Sequence, residues 1–142
     1  MFIGEYRHTV DEKGRLALPA KFRKLLGSGS VVTRGIDNCL FLYPQKAWQQ
    51  VAQRLAKLPF NQANSRAFSR SMLAGAMEVG CDAQGRILIP EYLRKFANLD
   101  KKVVVAGVYD RLELWDQASW LKYTRLTEKS GSEIAEQVDF GG

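Results

Sequence analysis

Polar and apolar positions in this chain follow two spacings, and the switch between them marks its elements. In Arg15-Leu-Ala-Leu18 the large apolar residues fall at every second position, which places Leu16 and Leu18 on one face of a strand. Val10 ends an earlier strand, and Asp11-Glu-Lys-Gly14 between them is a turn: the Asp carboxylate can accept backbone N–H groups, and Gly can take positive φ. Pro19 stops the second strand and suits the first turn of a short helix over Ala20 to Leu25. After the loop Gly27–Ser30, Val31 to Thr33 and Cys39 to Tyr43 read as strands around the turn Gly35–Asn38. The period then lengthens: Ala47, Trp48, Val51, Ala52, Leu55 and Leu58 share one face of a helix from Gln45 to Leu58, which Pro59 ends. Residues 61–74 read as further helix with Arg66 and Arg70 one turn apart, and a short helical patch covers Glu133 to Val138.

The whole pattern occurs twice. Val10–Lys24 (VDEKGRLALPAKFRK) aligns with Cys81–Lys95 (CDAQGRILIPEYLRK) at an offset of 71, keeping Asp11/Asp82, Gly14/Gly85, Arg15/Arg86, Pro19/Pro90, Arg23/Arg94 and Lys24/Lys95 identical. A second block follows at an offset of 72 and pairs Val31/Val103, Leu40/Leu112, Leu42/Leu114, Tyr43/Trp115 and Trp48/Trp120. The single inserted residue fits a loop. The resulting organisation is a first repeat over 1–60, a connecting helix over 61–75, a second repeat over 76–127 and an acidic flexible tail over 128–142. A unit of about 45 residues is close to the lower limit for independent folding. The two copies are therefore expected to interleave into one α+β, mainly β, barrel-like core with pseudo-twofold symmetry and outer helices. Trp48 and Trp120 then serve either as core anchors or, with their neighbours, as part of a subunit interface.

Composition narrows the chemistry. A chain of 142 residues with 46% hydrophobic content can build a core, and it has no apolar run near the ~20 residues that a spanning helix needs. With a single histidine (His8) and two cysteines lacking CxxC spacing, no metal site or disulfide framework is expected; Cys39 and Cys81 read as buried, reduced thiols. No nucleotide-binding or hydrolase motif occurs, so the chain reads as a non-enzyme with no cofactor and no small-molecule substrate. The start MFIGEYRH lacks the basic-then-apolar order of a secretory signal, which points to the cytoplasm.

Charge is the more informative quantity. The net charge is +6, yet residues 128–142 carry one lysine against four acids, so the preceding 127 residues carry +9. Residues 1–34 hold seven basic against three acidic side chains. A basic body with an acidic tail suggests a polyanionic partner. In a duplicated hairpin fold the turns DEKGR and DAQGR project together, so Lys13, Arg15 and Arg86 form one cationic edge, flanked by Lys21, Arg23 and Lys24 and by Arg94 and Lys95 on the helices after each proline. The planar guanidinium fork suits phosphate oxygens and guanine edges, and a two-stranded ribbon fits the major groove. Asp11 and Asp82, four residues before Arg15 and Arg86, can instead close each hairpin as an ion pair; an arginine so oriented is also preorganised for a ligand. His8 has Val79 as its counterpart, so the two halves cannot bind identically. A protein-interaction module and an RNA binder are the rival readings. The scarcity of aromatics on the basic face disfavours the second.

Each block resembles the swapped-hairpin module of AbrB-type transition-state regulators: D-x-x-G-R, then apolar residues and Pro, then a basic pair. Two such blocks in one chain, with the start MFIGEYRHTVDEKGRLALP and the segment LELWDQASW, are similar to the MraZ family over residues 1 to about 125. The resemblance implies a double-psi-type swapped-hairpin β-barrel. It also implies a sequence-specific, nucleoid-associated DNA-binding regulator, usually a repressor. Such a protein acts on short direct repeats upstream of its own operon for cell-wall synthesis and division, as a ring-shaped homo-oligomer. It places the motif arginines on Arg15 and Arg86, the basic pairs on Arg23-Lys24 and Arg94-Lys95, and a further basic position on His8.

Overall fold

The computed structural model describes residues 1–141. In chain order the elements are β1 (Phe2–Thr9), β2 (Arg15–Ala17), α1 (Ala20–Leu26), β3 (Ser30–Arg34), β4 (Leu40–Pro44), α2 (Gln45–Ala56) and α3 (Ala63–Ser69), which runs on into a π-helical turn, Arg70–Ala74. They continue as β5 (Met77–Val79), β6 (Arg86–Leu88), α4 (Glu91–Phe96), β7 (Lys102–Tyr109), β8 (Leu112–Asp116), α5 (Gln117–Lys129) and α6 (Gly131–Gln137). Pro19 and Pro90 each stand immediately before a short helix, as their fixed φ and missing N–H require.

The two repeats do interleave. An antiparallel six-stranded sheet has the order β1-β7-β8-β4-β3-β5, and β2 pairs with β6 in a separate ribbon. The first strand of each repeat thus pairs with the third strand of the other: β1 with β7, β5 with β3. Leu16 stands opposite Ile87 and Phe41 opposite Glu113, each facing its own repeat equivalent, so the pseudo-twofold axis passes through both pairs.

Strand alternation divides the apolar residues into two layers. On one face Leu40, Leu42, Val103, Val105, Leu112 and Leu114 pack against Leu16 and Ile87 of the ribbon and Phe22 and Leu93 of α1 and α4. On the other, Phe41, Tyr43, Val104 and Trp115 pack against the helices, with Leu55 and Met72 buried among them and Trp48 and Trp120 partly buried against them. Trp48 packs on Tyr43 and Trp120 on Trp115, with ring centroids 5.8 and 5.3 Å apart, so both tryptophans are core anchors.

Two expectations need correction. The barrel is not closed by hydrogen bonds: β1 and β5 are the free edges of an open sheet. The strand that would have to close it has only three residues, because the chain leaves the π-helical turn at Gly75 and loses strand geometry again at Gly80. Cys39 is buried as expected, but Cys81 is exposed. Its counterpart Val10 continues the line of the eight-residue β1, bridges to Leu16 and is buried, whereas Cys81 lies beyond the short β5 in no strand.

Candidate nucleic-acid interface

The site is built from the two D-x-x-G-R turns. In the first, the Asp11 N–H donates to the Arg15 carbonyl and the Gly14 N–H to the Asp11 carbonyl, both at 3.0 Å. Asp11 Oδ1 accepts the N–H groups of Lys13 and Arg15, each at 2.9 Å, and Oδ2 accepts Arg15 Nε–H at 2.7 Å. The second turn repeats this arrangement. Asp82 Oδ1 takes the N–H groups of Gln84 and Arg86, and Oδ2 takes Arg86 Nε–H, all at 2.9 Å. Donation from the Arg15 and Arg86 N–H groups, foremost among these contacts, holds both carboxyls below the usual aspartate range. Gly14 and Gly85 have φ of +85° and +76°, a region that only glycine enters without strain.

The turns are joined side by side. Ile89 N–H donates to the Gly14 carbonyl at 2.9 Å, Leu18 N–H to the Gly85 carbonyl at 3.2 Å, and Arg86 Nη1 lies 3.8 Å from Asp11 Oδ2. Asp11 therefore touches both motif arginines. Its reach to the partner repeat was not legible from spacing alone; the repeat alignment marks the position, but not the crossing.

The helix arginines cross over as well. The Arg94 guanidinium of α4 lies over Gly14 in the first turn and donates Nε–H to the Ile89 carbonyl at 3.0 Å. The Arg23 guanidinium of α1 lies over Gly85 in the second turn, with its Nε buried and unpaired. Arg15, Arg86, Arg23 and Arg94 thus form one contiguous half-buried cluster across the pseudo-twofold axis, and Lys13 stands exposed beside it. Each motif arginine ties its Nε to its own aspartate, which leaves the guanidinium ends as the groups that can face a ligand.

The remaining predicted residues lie outside this cluster. Lys21 and Lys24 are exposed on α1, and the Lys21 ammonium sits 4.9 Å from the centre of the Tyr6 ring. Lys95 is exposed on α4 and pairs with Glu91 at 3.2 Å. His8 is half-buried on β1 opposite Val103, and desolvation pushes its pKa below the ordinary histidine value. Among the described residues no group of three His, Cys, Asp or Glu side chains could hold a metal, and no helix is long and apolar enough to cross a membrane.

Paired hairpin turns swapped between two tandem repeats define this chain as a double swapped-hairpin protein with a composite arginine edge. Comparison with known sequences carries the assignment further. The profile described as "MraZ protein, putative antitoxin-like" matches the chain twice, over residues 1–71 and 72–139, dividing it within the π-helical turn. The chain is 51% identical over 141 residues to a protein of Moorella thermoacetica, covering 99% of each. It is 49% identical over 138 residues to one of Desulforamulus reducens, covering 97% of each, and 48% identical over 141 residues to one of Carboxydothermus hydrogenoformans, covering 99% of each. All three are named "Transcriptional regulator MraZ". The chain belongs to the MraZ family.

Proposed function

We propose that this chain is a transcriptional regulator that binds double-stranded DNA sequence-specifically through the paired turns, and that it is not an enzyme. The observation that carries the reading is the joined pair of D-x-x-G-R turns, in which two guanidinium groups are fixed at Nε by their own aspartates and Arg86 Nη1 lies near Asp11, so that the arginines are held side by side with further N–H groups left to face a ligand. Arg15 and Arg86 reach base edges, with Arg23 and Arg94 bracing them through the opposite turns. Lys13, Lys21, Lys24 and Lys95 contact phosphates, and His8 adds a contact on the first repeat only. The regulator acts as a repressor of its own division and cell-wall operon, in the cytoplasm at the nucleoid. A ring of copies engages tandem short repeats, so that each weak unit gains from its neighbours. It takes no cofactor, membrane or small-molecule substrate as partner.

The test is a binding isotherm on DNA from upstream of the chain's own gene, run against salt. Arg15→Ala lowers specific binding by about 1–3 kcal/mol and leaves random-sequence binding nearly unchanged, whereas Lys13→Ala weakens both and flattens the salt dependence. Equal retention of specific and random DNA by Arg15→Ala would assign that arginine to closing its hairpin alone. An absence of DNA affinity at low salt would favour the protein-interaction reading.

A further inference from the structure

The outer face of the first repeat carries a groove built from two adjoining recesses. Beside α2, α3 and the π-helical turn, a cavity of about 460 Å³ is lined by Ile36, Leu58 and Phe68. A recess of about 320 Å³ adjoins it through Leu55 and Leu58, and Phe60 and Leu73 line its far end. Phe60 is 85% exposed and Ile36 55%, more apolar surface than a solvated face needs. The lining is net cationic: Arg54 and Arg111 in the first recess and Arg66 and Arg70 in the second stand against the one carboxylate of Asp110, with which Arg111 pairs at 3.1 Å. Arg54 lines the first cavity and Arg70 the second, and neither has an ion pair among the described residues. An occupant should therefore be apolar and acidic together.

The C-terminal segment has this character. α6 buries none of its residues, and after it Val138 leaves the helix in extended geometry. Val138 is 56% exposed and Phe140 98%. In an extended backbone these two side chains point the same way, about 7 Å apart, which suits two adjoining recesses. Glu133, Glu136 and Asp139 supply the acidic charge. Among the described residues, none of α6 or beyond lines the groove of its own copy.

We propose that Val138 and Phe140 of one copy dock into the α2–α3 groove of the next copy, with Glu136 and Asp139 against Arg54 and Arg70. The inference rests on the homo-oligomeric reading above and supplies its contact. It joins a second-repeat element to a first-repeat groove, so the interface is heterologous, the kind that closes into rings when the rotation per copy allows. The connecting helix then has a function in assembly, because α3 and the π-helical turn form one wall of the groove.

The test follows the assembly of the full-length chain by native mass spectrometry across a dilution series, with single-box DNA binding measured in parallel. Val138→Asp/Phe140→Asp alters exposed side chains and leaves the fold intact. It should raise the concentration of half-assembly about ten-fold or more. Arg54→Glu/Arg70→Glu should do the same, and adding Glu136→Arg/Asp139→Arg to it should restore assembly. Assembly unchanged in the tail variant, or no rescue by the double reversal, overturns the contact. Loss of assembly only in the groove variants assigns the groove to another acidic occupant and also overturns it. A monomeric wild type that still binds DNA with steep salt dependence overturns the contact and leaves the regulator reading standing; intact assembly without DNA affinity does the reverse.

Discussion

Gly14→Ala tests whether the crossing arginines hold the two turns together. Gly14 is buried at φ +85°, and a Cβ there would stand 2.8 Å from both Cζ and Nε of Arg94. Two costs follow. An L-residue in left-handed geometry costs about 1–2 kcal/mol. Displacing the guanidinium also breaks its 3.0 Å Nε–H bond to the Ile89 carbonyl, a further loss of about 1 kcal/mol. The expected destabilisation is about 2–3 kcal/mol, a sizeable share of the 5–15 kcal/mol typical of a folded domain. Urea denaturation with an unchanged m-value measures it. Gly29→Ala is the control, since Gly29 has no positive φ and no atom would lie within 4 Å of the new Cβ. The two costs separate in an Arg94→Ala background, where only the backbone strain remains and Gly14→Ala should cost about 1–2 kcal/mol. The same cost in both backgrounds would mean that Arg94 does not lean on the turn, and a cost no larger than that of Gly29→Ala would refute the strain argument as well.

Other expectations concern the core, the thiols and pH. Leu16→Ala removes a fully buried side chain at the pseudo-twofold axis and should cost about 3–4 kcal/mol, whereas Leu88→Ala, 56% exposed on the same ribbon, should change stability by less than about 0.5 kcal/mol; denaturant midpoints decide. Burial pushes the Cys39 thiol up to about 12, so native-state alkylation at pH 8 should label the exposed Cys81 alone, and Cys39 only after unfolding. Because the Asp11 and Asp82 carboxyls are held below the usual range in the fold, their stabilising effect is full above the unfolded value of about 4 and is lost as pH falls through the folded values. Protection of the Lys13, Arg15, Gln84 and Arg86 amides, measured against their intrinsic exchange rates at each pH, should therefore hold from neutral pH through the ordinary aspartate range and fall only below it.

Much of this architecture is legible in the chain, because two independent copies report the same pattern. The alternation in Arg15–Leu18 recurs in Arg86–Ile89, and the shared face of Ala47, Trp48, Val51 and Leu55 does pack onto the sheet. Swapping follows from size, since neither half buries enough alone. Three features were hidden, each of them set by tertiary contacts that no local pattern records. The open edge depends on where β5 stops, which the π-helical turn and its glycines decide. The exposure of Cys81 follows from that early stop, against an alignment that sets it beside buried Val10. The crossing of Arg23 and Arg94 onto the opposite glycines needs the pseudo-twofold axis, and a one-dimensional repeat gives only its spacing.

The symmetry of the backbone is not matched by the side chains that decorate it, and the mismatch has a direction. Lys13, Lys21 and His8 in the first repeat correspond to Gln84, Tyr92 and Val79 in the second. Tyr92 has structural work instead. Its hydroxyl donates to the Gly75 carbonyl at 2.8 Å, and its ring lies 5.7 Å under the Arg34 guanidinium, while Arg34 Nη1 donates to the Ser71 carbonyl at 3.2 Å. The second repeat thus uses the position of Lys21 to hold the connecting segment, and the first keeps it cationic. A symmetric edge would suit an inverted repeat in DNA, whose two strands are related by the same twofold. An edge more basic at one end than at the other distinguishes the two directions along a duplex, and copies joined head to tail, as proposed above, would present it in the same sense each time. The binding geometry proposed here therefore fits the direct repeats that the family resemblance implies, and inverting one box of a tandem pair should remove most of the gain that the second box provides.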